Sequence, residues 1–119
     1  MINYIKKWDW SLWFEKGCTF MTLKELQKEI IENKKRHNFN TKDMNEEFCH
    51  LMAEMGEAYD AYFRGLDTFP EELADVGIFL LGIAELNGID LQSEIEKKVQ
   101  INKRRESEIN RVGHYVHKK

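Results

Sequence analysis

Two short acidic steps stand out in this chain, Glu54-Met-Gly-Glu57 and Glu72-Leu-Ala-Asp75, each set in a segment that otherwise reads as an apolar helix. Residues three apart on a helix share a face, so each step aims two carboxylates in one direction and offers half of a metal cage. Oxygen-only donors of this kind suit a hard cation. Mg²⁺ takes a few carboxylates, keeps some waters and completes its octahedron with substrate phosphate. The chemistry implied is divalent-cation-assisted work on phosphate, with Mg²⁺ expected and Mn²⁺ as its substitute.

The first step alone says little, because Glu pairs are common on solvated helix surfaces. The second says more. From Val76 to Ala84 no side chain is polar, and a helix apolar all round is a buried one. At about 100° per residue, Glu72 and Asp75 continue into the stripe of Val76, Phe79, Ile83 and Leu86. Ionised and unpaired carboxylates there would be costly. In the first acidic segment Phe48, Leu51, Met52, Met55, Tyr59, Tyr62 and Phe63 are expected to form a core stripe. Glu47, His50, Glu54, Glu57 and Ala61 form a second stripe beside it.

The elements that must position these acids follow from caps and breaks. A helix is expected from Thr22 to Arg36, opened by the capping box Thr22-Leu-Lys-Glu25 and burying Leu23, Leu26, Ile30 and Ile31. Residues 37–43 are a polar break, and Asp43 with Glu46 caps a second helix that runs to Gly65. The link Leu66-Asp-Thr-Phe-Pro70 is short, so the third helix, starting near Thr68, Pro70 and Glu71, is an antiparallel neighbour. That hairpin brings the two acidic steps to similar heights. Asn87-Gly88 stops the third helix. A fourth begins at Asp90 or Ser93, with Ile95, Val99 and Ile101 on its apolar side, and reaches Ser107 or Asn110.

The expectation is an all-α antiparallel bundle of about four main helices, in which oligomerisation completes the core. Its 119 residues, 42% hydrophobic and 33% charged, fit one globular domain, and one Pro with no alternating run argues against a sheet. Residues 1–20 form a separate aromatic arm with Tyr4, Trp8, Trp10, Trp13, Phe14 and Phe20; residues 21–110 form the helical domain; residues 111–119 are a tail. Nothing in the arm is long or apolar enough for a leader or a membrane span, so the protein is expected to stay in the cytoplasm. Cys18 and Cys49 lack metal-finger spacing and fit free thiols in a reducing compartment.

Charge is distributed unevenly. Residues 41–96 hold 14 acidic and 2 basic residues, whereas residues 97–119 hold 8 basic and 2 acidic. An acidic middle repels a duplex backbone, so duplex nucleic acid is not the expected partner. An acidic patch facing a basic one suits a metal with a small polyphosphate.

On Glu54, Glu57, Glu72 and Asp75 the chain resembles the MazG-like nucleoside triphosphate pyrophosphohydrolases, all-α enzymes with E-x-x-E on one helix and E-x-x-D on the next. The likeness spans Thr22 to Arg105, and Lys98-Val-Gln-Ile-Asn102-Lys-Arg-Arg105 is similar to the family's K-x-x-x-N-x-x-R. The resemblance implies hydrolysis of common or modified nucleoside triphosphates, deoxy forms included, to the monophosphate and pyrophosphate, a house-cleaning role. It implies that the four acids hold the metal, that Lys98, Asn102 and Arg105 contact the triphosphate, and that the chain forms a homodimer or a dimer of dimers. Glu57 is the candidate general base. The sequence departs from the pattern after Arg105, where Glu-Ser-Glu-Ile-Asn replaces the usual proline and basic tail.

Other residues have plainer readings. Glu47-Phe-Cys-His50 spells the E-x-x-H of di-iron bundles, but no second such step exists, so His50 reads as a structural hydrogen-bonder. Phe39, with His37 and Asn38, reads as a packing plug before a nucleobase contact. Arg64 reads as a helix-end cation and Tyr59 and Tyr62 as core. The rival to an enzyme is a catalytically silent helical module that binds a protein partner through its aromatic and apolar surfaces.

Overall fold

The computed structural model describes residues 20–105, 107–109 and 115–117. The aromatic arm up to residue 19, with Cys18, lies outside the described residues, as does most of the tail. Four helices make up the body: α1 (Leu23–Arg36), α2 (Met44–Phe63), α3 (Phe69–Leu86) and α4 (Leu91–Arg104). The all-α expectation is met in these four, and the residues that start and stop them are largely those the sequence marks.

Thr22 opens α1 by accepting the Glu25 amide at 3.1 Å, and Asp43 and Asp90 open α2 and α4 by accepting the amides of Glu46 and Ser93. Each such cap stabilises its helix by about 1 kcal/mol. α3 starts differently: Thr68 makes no side-chain cap, and Pro70 fixes the first turn. α1, α2 and α3 close in one way. The residue after each C-cap takes a left-handed conformation, Asn38 (φ 55°), Gly65 (φ 64°) and Gly88 (φ 68°). The next amide then reaches back to the last turn, Phe39 to Lys34, Leu66 to Ala61 and Ile89 to Ala84, each at 2.9 Å.

α2 packs antiparallel against α3, α1 packs on α3, and α4 touches α1. Gly82 lets α1 approach α3 closely, since a Cβ there would meet Ile30 at 3.4 Å. Ile31, Ala58, Ala61, Ile83 and Ala84 are the buried apolar residues. Gln27 pins the corner where α3 turns into α4: its amide donates to Glu85 (3.1 Å) and to the Ile89 carbonyl (2.7 Å) and accepts from the Leu91 amide (2.9 Å).

Two expectations are corrected. The large apolar stripe of α2 is not the core of the single chain, because Phe48, Met52, Met55, Tyr59, Tyr62 and Phe63 are all exposed, Tyr59 by 66% and Phe63 by 76%. α2 instead turns a narrow face inward, with Glu47, Ala58 and Ala61 buried and Leu51 and Glu54 half-buried, while His50 and Glu57 of the second stripe stay exposed; Ala58 and Ala61 allow the backbones to come close. Ile95, Val99 and Ile101 of α4 are likewise exposed. Second, α4 stops at Arg104. Arg105 is extended (φ −72°, ψ 127°), and a short antiparallel ladder then pairs β1 (Ser107–Ile109) with β2 (Tyr115–His117). This ladder, in which Ile109, Tyr115 and Val116 are the β-prone residues, takes over where the fourth helix was expected to continue.

Candidate metal centre

Glu54 and Glu57 lie on the second half of α2, and Glu72 and Asp75 on the first two turns of α3. The antiparallel hairpin places them across from each other. One carboxylate oxygen from each of Glu54, Glu57 and Glu72 lies within 4.8 Å of the others. Asp75 stands beside this trio, near enough for its charge to act on both Glu54 and Glu72.

Like charges held this close disfavour full ionisation. Glu54 binds its proton more tightly than an ordinary carboxylate, first because it is partly buried and then because of the charge and hydrogen bond of Glu57 and the charges of Asp75 and Glu72. Glu72 is shifted the same way by desolvation, then by the charges of Glu57 and Asp75. Glu54 Oε2 is buried and has no hydrogen-bond partner. Among the described residues no Lys or Arg side chain pairs with any of the four acids. An oxygen-only donor set, an orphaned carboxylate oxygen and uncompensated charge together fit a hard divalent cation.

Lys98, Asn102 and Arg105 are elsewhere. They sit on α4 and at its C-cap, exposed, with no side-chain partner among the described residues. α4 touches α1, whereas the acids belong to α2 and α3.

Beside the acids lies a cavity of about 590 Å³ between α1, the 37–43 turn, α2 and α3, lined by Asn33, Lys34, Phe39, Asn40, Glu47, His50 and Phe79 among others. His50 and Phe79, whose rings stack with centroids 5.4 Å apart, are each one helical turn from Glu54 and Asp75. His50 is exposed, with Nε2 3.5 Å from Glu46, so its main contact is this stack. Phe39 is 59% exposed and stacks on His37, so it is no packing plug. Arg64 pairs with Asp60 at 3.2 Å at the end of α2.

Sequence reasoning missed Lys34. Its ammonium forms a buried ion pair with Glu47, reaches the Asn40 carbonyl at 3.4 Å and stands 5.1 Å from the Phe79 ring centre. The available signal was position: Gln27, Ile31 and Lys34 fall four and three apart, on the face α1 buries. A buried Lys on such a face needs an acid, and Glu47, fully buried on the inward face of α2, is that acid.

Fold and site together define a small helical protein that gathers carboxylates between two antiparallel helices, of the kind that handles metal and phosphate. Neither the known protein-family models nor the curated proteins yield a match to this sequence. Among solved structures it is similar to the cyanophage S-2L MazG-like pyrophosphohydrolase bound to dGDP and three catalytic Mn²⁺ ions per active site. The two share 30% identity over 84% of this chain and 100% of that one, with a TM-score of 0.62. The chain belongs to the MazG-like pyrophosphohydrolases.

Proposed function

We propose that this protein is a Mg²⁺-dependent nucleoside triphosphate pyrophosphohydrolase, with Mn²⁺ able to replace Mg²⁺. The observation that carries this reading is the convergence of Glu54, Glu57 and Glu72, with a buried Glu54 oxygen left unpartnered. The similar cyanophage enzyme, which holds dGDP and Mn²⁺, supports it.

In this reading Glu54, Glu57, Glu72 and Asp75 hold the cations. Bound there, divalent cations supply charge compensation to phosphoryl oxygens and lower the pKa of a water. A water oxygen bonds to the α-phosphorus, the bond from that phosphorus to the bridging oxygen breaks, and pyrophosphate leaves with the bridging oxygen. Glu57, the exposed member of the trio, takes the water's proton. Lys98, Asn102 and Arg105 neutralise charge on the departing phosphates. Because α4 does not pack on the acid hairpin, a second copy is the natural source of these three residues. The exposed apolar face of α2 supports a homodimer or a dimer of dimers. The base end of the nucleotide lies in the cavity beside the acids, between His50 and Phe79 on one side and Asn33 and Phe39 on the other.

The exposed, unpaired Cys49 accords with a reducing cytoplasm, and no helix among the described residues is long and apolar enough to cross a membrane. The deciding experiment is pyrophosphate release from a panel of ribo- and deoxynucleoside triphosphates, with Mg²⁺, with Mn²⁺ and with chelator. Cation-dependent release is expected. No release from any of them would overturn the reading and favour a binding module.

A further inference from the structure

The cavity beside the acids has a floor that the cleavage chemistry does not use. Lys34 and Glu47 form it, their side chains 10% and 2% accessible. A buried ion pair is a weak source of stability, since apolar residues of similar volume usually do as well. This one also leaves Glu47 Oε2 buried with no hydrogen-bond partner. Glu47 is thus an acceptor in want of a donor, at the edge of a space large enough for a heterocycle and walled by Phe39 and Phe79. Lys34 holds donors beside it, one of them only loosely engaged by the Asn40 carbonyl at 3.4 Å.

We propose that the Lys34–Glu47 pair reads the nucleobase, Glu47 accepting from an amino group next to a ring N–H and Lys34 donating to the adjacent carbonyl. Resting on the reading of this site as a nucleotide site, the inference names its substrate class: purine nucleotides of the guanine type. Guanine sets a carbonyl, a ring N–H and an amino group side by side. Uracil and thymine present a second carbonyl where guanine has its amino group, and a carboxylate repels it. Adenine and cytosine carry an amino group but no ring N–H beside it. The lining closes over Glu47 Oε2 in the free protein, so the base must part it. His50, which stacks on Phe79 and contacts Glu46 at 3.5 Å, is one of the exposed residues of that wall.

The test compares dGTP with dITP, which differ only in the purine 2-amino group, as their uncleavable α,β-methylene analogues. Binding to the full chain is measured by calorimetry with Mg²⁺. Wild type should bind the dGTP analogue about 5- to 150-fold more tightly, the range for one buried acceptor losing its donor. In Glu47→Gln the ratio should collapse toward one. The double variant Lys34→Met with Glu47→Leu should also lose the ratio, and it decides the matter if the single variant fails to fold by circular dichroism. Equal binding of the two analogues by wild type, or an undiminished ratio in the folded variants, overturns the inference. Preference in binding without pyrophosphate release from dGTP would instead overturn the hydrolase reading and leave the base reading in place.

Discussion

Lys34 on α1 and Glu47 on α2 meet in a buried ion pair, the ammonium standing 5.1 Å from the centre of the Phe79 ring on α3, so one pair of charges ties three helices together. Breaking it from one side strands a charge in the interior. Lys34→Met should therefore cost about 3–5 kcal/mol, a large share of the roughly 5–15 kcal/mol that holds a domain together. The double change Lys34→Met with Glu47→Leu should recover most of that loss. Urea unfolding of both variants measures the difference, and a single variant as stable as wild type would show that the pair carries no structural weight.

The acid trio should trade stability for function. Glu54→Gln removes one of several crowded negative charges and lets its amide donate a hydrogen bond to Glu57, so the cation-free protein should melt higher than wild type. The same change should lower kcat/KM for a nucleoside triphosphate by at least about 100-fold, equivalent to about 2.7 kcal/mol. Thermal melting in chelator and a pyrophosphate assay give the two readouts. A variant that melts lower and keeps full activity would remove Glu54 from the site.

Proton and cation should compete for these carboxylates. Glu54 and Glu72 bind protons more tightly in the fold than in the unfolded chain. Their penalty is absent below the ordinary carboxylate range and fully present once pH exceeds their raised folded values. Their contribution without metal therefore favours the fold as pH falls through their raised folded values toward the ordinary carboxylate range. Added Mg²⁺ or Mn²⁺ acts the other way, stabilising by about 2.7 kcal/mol at 100 times its dissociation constant, and more weakly at pH 5 than at pH 7.5 because protons displace it. Melting curves at the two pH values, with and without cation, test this. An equal cation-induced shift at both would mean that these carboxylates are not the ligands.

Much of the fold was legible because its signals are local. Thr22, Asp43 and Asp90 are caps recognisable from three residues of context, and Gly65 and Gly88 supply left-handed stops that few other residues tolerate. The acid cluster was legible for a related reason: a five-residue link leaves a helix pair little choice but an antiparallel hairpin, so Glu54, Glu57 and Glu72 had to meet. What stayed hidden depends on partners distant in sequence. Hydrophobicity assigned Met52, Tyr59 and Phe63 to the core, but Ala58 and Ala61 decide how closely α2 and α3 approach, and their small size puts the large residues outside. Gln27 and Lys34 look like surface residues until Glu85, Ile89 and Glu47 are set beside them. The strands that follow Arg105 were obscured by a charged sequence that reads equally well as more helix.

The exposed face of α2 gives the last expectation. Tyr59 and Phe63 stack with ring centres 6.2 Å apart, Tyr62 meets the half-buried Phe69 of α3 at 5.5 Å, and Met52 and Met55 extend the patch along the helix, these five α2 residues being open to solvent in one chain. Apolar patches of this extent are uncommon on monomers and mark interfaces, where aromatic anchors carry most of the energy. A second copy has the matching surface, and pairing through it would convert the expected core stripe of α2 into a core shared by two chains. Wild type should therefore sediment at about two or four times its 14.2 kDa chain mass. Tyr59→Glu, which buries a charge in that interface, should shift it toward 14.2 kDa and weaken assembly by at least about 10-fold. Pyrophosphate release should fall in the same proportion if Lys98, Asn102 and Arg105 of one copy serve the acids of the other. A wild-type monomer at micromolar concentration with full activity would show that each chain builds its site alone, and would leave the apolar face to another partner.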